Sequence, residues 1–156
     1  GQTISEQLLL HKIEAFLQGL DQLERGKIQD MVRRLDSDVS FQGQVGTVLI
    51  EALDKMSVEH QPRMLARTFR AYADGQVTGL ELRRLALAIE RFPTFELPAL
   101  RVFYDGEVEQ RMATEKAVLL ALSSAGLAMN NGGFDGGVLV PTSTFDLFIE
   151  LGLDQV

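Results

Sequence analysis

Cysteine and tryptophan are absent from the 156 residues, histidine occurs twice and proline four times. Without cysteine there is no disulfide, no thiolate metal site and no thiol nucleophile. Two histidines, His11 and His60, are too few for a multi-histidine metal centre. No apolar run approaches the length of about 18 residues that a membrane-spanning helix needs, and no signal peptide is legible. Positive charge also runs out: after Lys116 there is no Lys or Arg, while Asp135, Asp146, Glu150 and Asp154 follow.

What is present is a mix of 46% hydrophobic and 24% charged residues, the balance of a globular chain able to bury a core. Fifteen basic and 22 acidic side chains leave a net charge of −7, which repels phosphate backbones over most of the surface. Residues 1–75 carry 9 basic and 11 acidic groups, and residues 76–156 carry 6 and 11.

Helical periodicity dominates. Ser5 reads as the cap of a first helix with Leu9, Ile13, Phe16, Leu17 and Leu20 on its apolar face, weakened at its end by Gly19. A second helix is expected over 22–35. A third is expected over 40–56, with Phe41, Val45, Val48, Leu49, Ala52, Leu53 and Met56 inward. Gly43 and Gly46 in it each cost about 1 kcal/mol against Ala, which suggests that they serve close helix approach. Pro62 fits the start of a fourth helix that ends at Gly75. Thr78 and Glu81 form a capping box for a fifth, ended by Pro93. Thr94 caps a short sixth helix closed by Asp105 and Gly106. A helix over 114–125 then stops at Gly126. Short β-prone runs over 127–130 and 138–140 flank a glycine-rich turn, and Pro141, Thr142 and Ser143 start a final helix. The expected fold is mainly α: a bundle of about six helices over 1–108, then a small winged-helix-like helix–hairpin–helix module over 109–156 packed on it.

Few residues are arranged for chemistry. No Gly-x-Ser-x-Gly elbow occurs, and Ser123 and Ser124 have no histidine near them in sequence. His11 and His60 read as packing or surface residues. The pair Asp36 and Asp38 opens like a calcium loop, but Phe41 stands where that loop needs Gly and Thr47 where it needs Glu. Asp105, Glu107 and Glu109 read as a solvated acidic connection. The glycine-rich stretch 132–137 carries Asp135 rather than a lysine, so it reads as a hairpin tip, not a phosphate loop. No cofactor and no metal are expected. Candidate partner-binding residues are Arg63, Arg67 and Arg70, which share one face of the fourth helix, and Phe134, an aromatic at the hairpin tip. For the arginines the plain alternative is a solvated face paired to Glu59 and Asp74.

DNA binding through a wing would need Lys or Arg on the helix over 114–125 and on the hairpin. The helix has Lys116 alone and the hairpin has none. Nucleic acid is therefore an unlikely partner, and the module reads as a degenerate wing used for packing or association.

The stretches HKIEAFLQGL over 11–20, MLARTFRAY over 64–72 with Gly75 and 80–89 after it, FYDG over 103–106 and SAGL over 124–127 resemble an uncharacterised prokaryotic family. Its members have a short membrane-inserting N-terminal segment, a helical cytoplasmic domain and a winged-helix-like end. The resemblance spans nearly the whole chain and rests on apolar stripes and caps; it carries no catalytic residue. It implies a cytoplasmic chain held at a membrane through a segment upstream of Gly1. The expected function is a non-enzymatic protein-interaction or oligomerisation domain. A winged-helix regulator is the alternative, and a small hydrolase using His11 or His60 beside a carboxylate is the second.

Overall fold

The first helix begins where a side chain can satisfy its free N–H groups. Thr3 Oγ1 accepts from the Glu6 N–H while the Glu6 carboxylate takes the Thr3 N–H. Thr3, not Ser5, is thus the cap, because the reciprocal bond requires a Glu three residues on. Described in this computed structural model are residues 3–21, 23–57, 59–132 and 137–156. Among them the chain is mainly α: nine helices and a small two-stranded antiparallel hairpin, the last helix following the hairpin.

The helices are α1 (Ile4–Leu20), α2 (Arg25–Ser37), α3 (Val45–Asp54), α4 (His60–Ala73), α5 (Gly79–Arg91), α6 (Leu97–Asp105), α7 (Val108–Met112), α8 (Lys116–Ser124) and α9 (Ser143–Glu150). Single 3₁₀ turns at Thr94–Glu96 and Leu153–Gln155 lead into α6 and follow α9. Strand β1 (Ala128–Asn130) pairs with β2 (Leu139–Pro141), Met129 opposite Val140.

α4 is central, its Leu65, Ala66, Thr68, Phe69 and Tyr72 all buried. α1 crosses it closely: Phe16 meets Phe69 edge to face with ring centroids 5.3 Å apart. Gly19 permits the approach, since a Cβ there would stand 2.5 Å from the Ala66 Cβ. The close-approach role expected of Gly43 and Gly46 belongs to Gly19 instead. Gly46 has open space around it, and Gly43 lies outside the helix. The third helix starts at Val45 because Gln42 and Gly43 both take left-handed φ, 52° and 72°, which an α-helix excludes. Phe41 is buried from the turn before it.

Two long polar side chains tie helix ends from a distance. The buried Lys12 of α1 donates to the Asp54 carbonyl at the end of α3, 2.8 Å away. Gln61 of α4 accepts from the Ser57 N–H at 2.6 Å and donates to the Ile89 carbonyl of α5 at 2.5 Å. The Thr78–Glu81 capping box is formed, and Gly75 and Gly126 end their helices with φ of 77° and 74°. The acidic connection expected at 105–109 is instead divided between two helices: Asp105 ends α6, and Glu107 and Glu109 belong to the start of α7. Glu107 caps it in a reciprocal box with Gln110, and carboxylates suit a helix N-terminus.

One core continues from α1 through α6 into α8, the hairpin and α9. Phe103 of α6 stacks on Phe145 of α9 with centroids 6.3 Å apart. Leu122, Leu127, Phe145, Phe148 and Leu153 are fully buried.

Candidate functional site

The i, i+4, i+7 spacing of Arg63, Arg67 and Arg70 puts them along one side of α4, but packing divides them. Arg67 and Arg70 enter a cleft of about 620 Å³ between α2, α4 and α9. Lys27 of α2 and Glu150 of α9 join them there, with Asp74 and Gln76 from the turn after α4. Arg63 lies outside it, exposed, one helical turn nearer the α4 N-terminus.

Charge in the cleft is largely used internally. Arg67 Nη1 donates to the carbonyls of Gly152 and Leu151, at 3.1 and 3.4 Å. These carbonyls lie at the cap of α9 and one residue past it, where a cation meets the negative end of the helix dipole. Lys27 pairs with Asp74 at 3.7 Å, both well exposed, a contact worth about 0–1 kcal/mol. Among the described residues the lining holds three cations, two carboxylates and no hydroxyl or imidazole. Such a cleft can hold a charged group of a ligand or partner; it offers no nucleophile–base pair. Lys27 and Glu150 were not identifiable from sequence, since neither shares a periodic pattern with the α4 arginines.

His11 and Arg63 line a smaller cleft of about 230 Å³ with Glu14, Gln18 and Glu59. Imidazole and carboxylates are thus neighbours, yet among the described residues no hydrogen bond or ion pair joins His11 to Glu14 or Glu59. His60 lies in the first turn of α4 with a buried Nε2 that makes no hydrogen bond. Among the described residues, His60 is not part of the cleft that His11 lines. Phe134 lies outside the described residues.

The cation-free stretch after Lys116 draws its positive partners from earlier elements. Arg101 of α6 makes a two-pronged pair with Asp154, Nε to Oδ2 at 2.9 Å and Nη2 to Oδ1 at 3.3 Å. The Asp154 side chain is 5% exposed and Arg101's 32%. Tyr104 donates its hydroxyl to Asp146 at 2.8 Å. That bond, then burial, then the negative charge of Asp146, Glu150 and Asp105, raises the Tyr104 pKa above its ordinary value. Arg111 donates to the Phe103 and Tyr104 carbonyls at 2.9 and 2.8 Å, capping α6, and lies over the Phe103 ring.

Among the described residues no group of three His, Asp or Glu side chains is placed to hold a metal, and no helix is long and apolar enough to cross a membrane. Comparison of the chain with protein-family models, with curated proteins and with solved structures yields no match.

Proposed function

We propose that this chain is a non-catalytic, mainly helical interaction domain that associates with protein, foremost with a second copy of itself. The observation that carries the reading is apolar side chains held in solvent by elements whose other faces are buried. In α6, Leu100 and Phe103 are buried while Val102 is 68% exposed; in α8, Val118 and Leu122 are buried while Leu120 is 68% exposed. Phe95, just before α6, is 80% exposed. Met112 of α7 is exposed beside a shallow groove it lines with Leu119 of α8 and Leu139 of the hairpin. We take these exposed apolar groups as the faces that another protein covers.

The winged-helix-like reading of the C-terminal module belongs to this proposal. α8, the hairpin and α9 succeed one another in the order of a wing, but α8 presents Lys116, Ala117, Leu120, Ser123 and Ser124 outward, a surface with one cation, suited to packing rather than to a nucleic-acid backbone. The proposal includes a cytoplasmic setting.

Size-exclusion chromatography with light scattering tests the reading. The expected result is a mass above that of one chain, rising with concentration and returned to monomer by Leu120→Glu or Val102→Glu. A monomer at every concentration, or an assembly indifferent to both substitutions, overturns self-association.

A further inference from the structure

We propose that a second cleft, between α5 and the junction of α8 with α9, is a binding site for a phosphate monoester. This cleft encloses about 440 Å³. One wall is α5, which supplies Arg84 and Arg91 with Leu87 between them. Seven residues make two helical turns, so both guanidinium groups arise from one helix face, about 10 Å apart at the backbone. The facing wall brings Ser123 and Ser124 from the end of α8 and Ser143 and Thr144 from the first turn of α9.

Four observations point to an anion. First, no Asp or Glu lines the cleft among the described residues, in a chain where 22 acidic residues outnumber 15 basic ones. Second, neither arginine makes an ion pair or hydrogen bond with a described residue. Third, Thr142 spends its side chain on the Phe145 N–H, which leaves the N–H groups of Ser143 and Thr144 without an acceptor at the positive end of α9. Fourth, Thr144 is 8% exposed and lines the cleft, yet its hydroxyl has no protein partner. Its oxygen is not sealed from solvent, so a ligand oxygen in the cleft can reach it.

The negative end of α8 is in part satisfied within the fold. The Leu122 and Ser123 carbonyls are taken by the N–H groups of Leu127 and Gly126, and the Gly126 carbonyl by the Thr142 hydroxyl. The cleft thus brings guanidinium, N–H and hydroxyl donors together, beside the Ser124 and Ala125 residues that end α8. A tetrahedral dianion with three free oxygens matches that set better than a planar carboxylate. Leu87 gives the carbon portion of an ester an apolar wall.

The probes are inorganic phosphate, glycerol 3-phosphate and vesicles of neutral lipid containing phosphatidic acid, each at constant ionic strength. Backbone amide NMR on the full chain reads the site directly. The expected result is a saturable shift of the Ser143 and Thr144 amides with phosphate or glycerol 3-phosphate. Arg84→Gln and Arg91→Gln each weaken it by about tenfold with the rest of the spectrum unchanged. Binding to the vesicles alone, lost in the same variants, supports the site with a lipid headgroup as the source of the phosphate. No saturable shift with any probe overturns the proposal. So does a shift indifferent to both arginine variants, or one centred on Arg63, Arg67 and Arg70.

Discussion

The Arg67 guanidinium and Gly152 hold each other in place: Nη1 donates to the Gly152 carbonyl at 3.1 Å across 85 residues of sequence. Gly152 takes a left-handed φ of 65°, and that turn brings two consecutive carbonyls, Leu151 and Gly152, within reach of one nitrogen. The same device recurs at two other helix ends, Lys12 on the last carbonyl of α3 and Arg111 on those of α6. In each case a cation from another helix adds a donor to carbonyls at or just past a helix end, those of Phe103 and Gly152 also accepting from the Gly106 and Gln155 N–H groups. A local capping problem thereby becomes a tertiary contact.

Gly152→Ala puts a β-carbon on a left-handed residue, 3.2 Å from Arg67 Nη1. The conformational cost is about 1–2 kcal/mol. Arg67→Met keeps much of the stem and removes the donors, for a loss of about 1–2 kcal/mol. Because both changes disturb one contact, the double variant loses less than the sum. Urea denaturation midpoints for the three variants check this; strict additivity would mean that the contact contributes nothing.

The pair between Arg101 and Asp154 is the strongest test of how the C-terminal turn is held. Its carboxylate is nearly enclosed while its guanidinium is about one-third exposed, so the expected coupling lies below that of a fully buried pair, at about 1–3 kcal/mol. A double-mutant cycle of Arg101→Met and Asp154→Asn measures it. The coupling should survive raised salt, since enclosed pairs are weakly screened. A coupling that disappears with salt would place the contact in solvent.

Where a local rule decides, the sequence was readable. Gly75, the Thr78–Glu81 box, Pro93 and Gly126 end or start helices as their chemistry requires, and the hairpin falls within a residue or two of its expected bounds. Misreadings came where two causes produce one pattern. Phe41 shares a helical period with Val45, yet it is buried from a turn, and periodicity registers burial rather than backbone. Glu107 is not a usual capping residue, so its box with Gln110 stayed hidden among acids that suit a solvated loop equally well. The clefts were hidden for a different reason. Arg67 shares a cleft with Glu150, and Arg84 with the first turn of α9, only after helices distant in sequence have packed.

Tyr104 gives the fold a defined response to alkali. Its raised pKa means that the folded state keeps the phenolic proton more tightly than the unfolded chain does. The contribution is complete below the ordinary tyrosine value of 10.0 and fades as pH rises through the higher folded value. With Tyr72→Phe leaving a single phenol, ultraviolet titration should give a midpoint above 10.0. Asp146→Asn should move it down, because the hydrogen bond to Asp146 is the largest cause of the shift. A midpoint unmoved by Asp146→Asn would remove that bond as the cause.

Gly19 and Gly46 both lie inside helices, and replacing either with Ala improves helix propensity by about 1 kcal/mol. Their surroundings give the two substitutions opposite signs. A methyl group at Gly46 meets no atom within 4 Å, so the propensity gain stands and the melting temperature rises. A methyl group at Gly19 meets the Ala66 Cβ at 2.5 Å, below any real carbon contact. Ala66 is fully buried on α4 and cannot move aside, so α1 must lift from α4 at a cost of about 1–3 kcal/mol, more than the propensity returns. Trimming the opposing side chain with Ala66→Gly should then restore part of the stability lost in Gly19→Ala, although it is unfavourable by itself. Thermal melts of the four variants decide the matter. Equal stabilisation at Gly19 and Gly46 would show that α1 does not cross α4 at this distance.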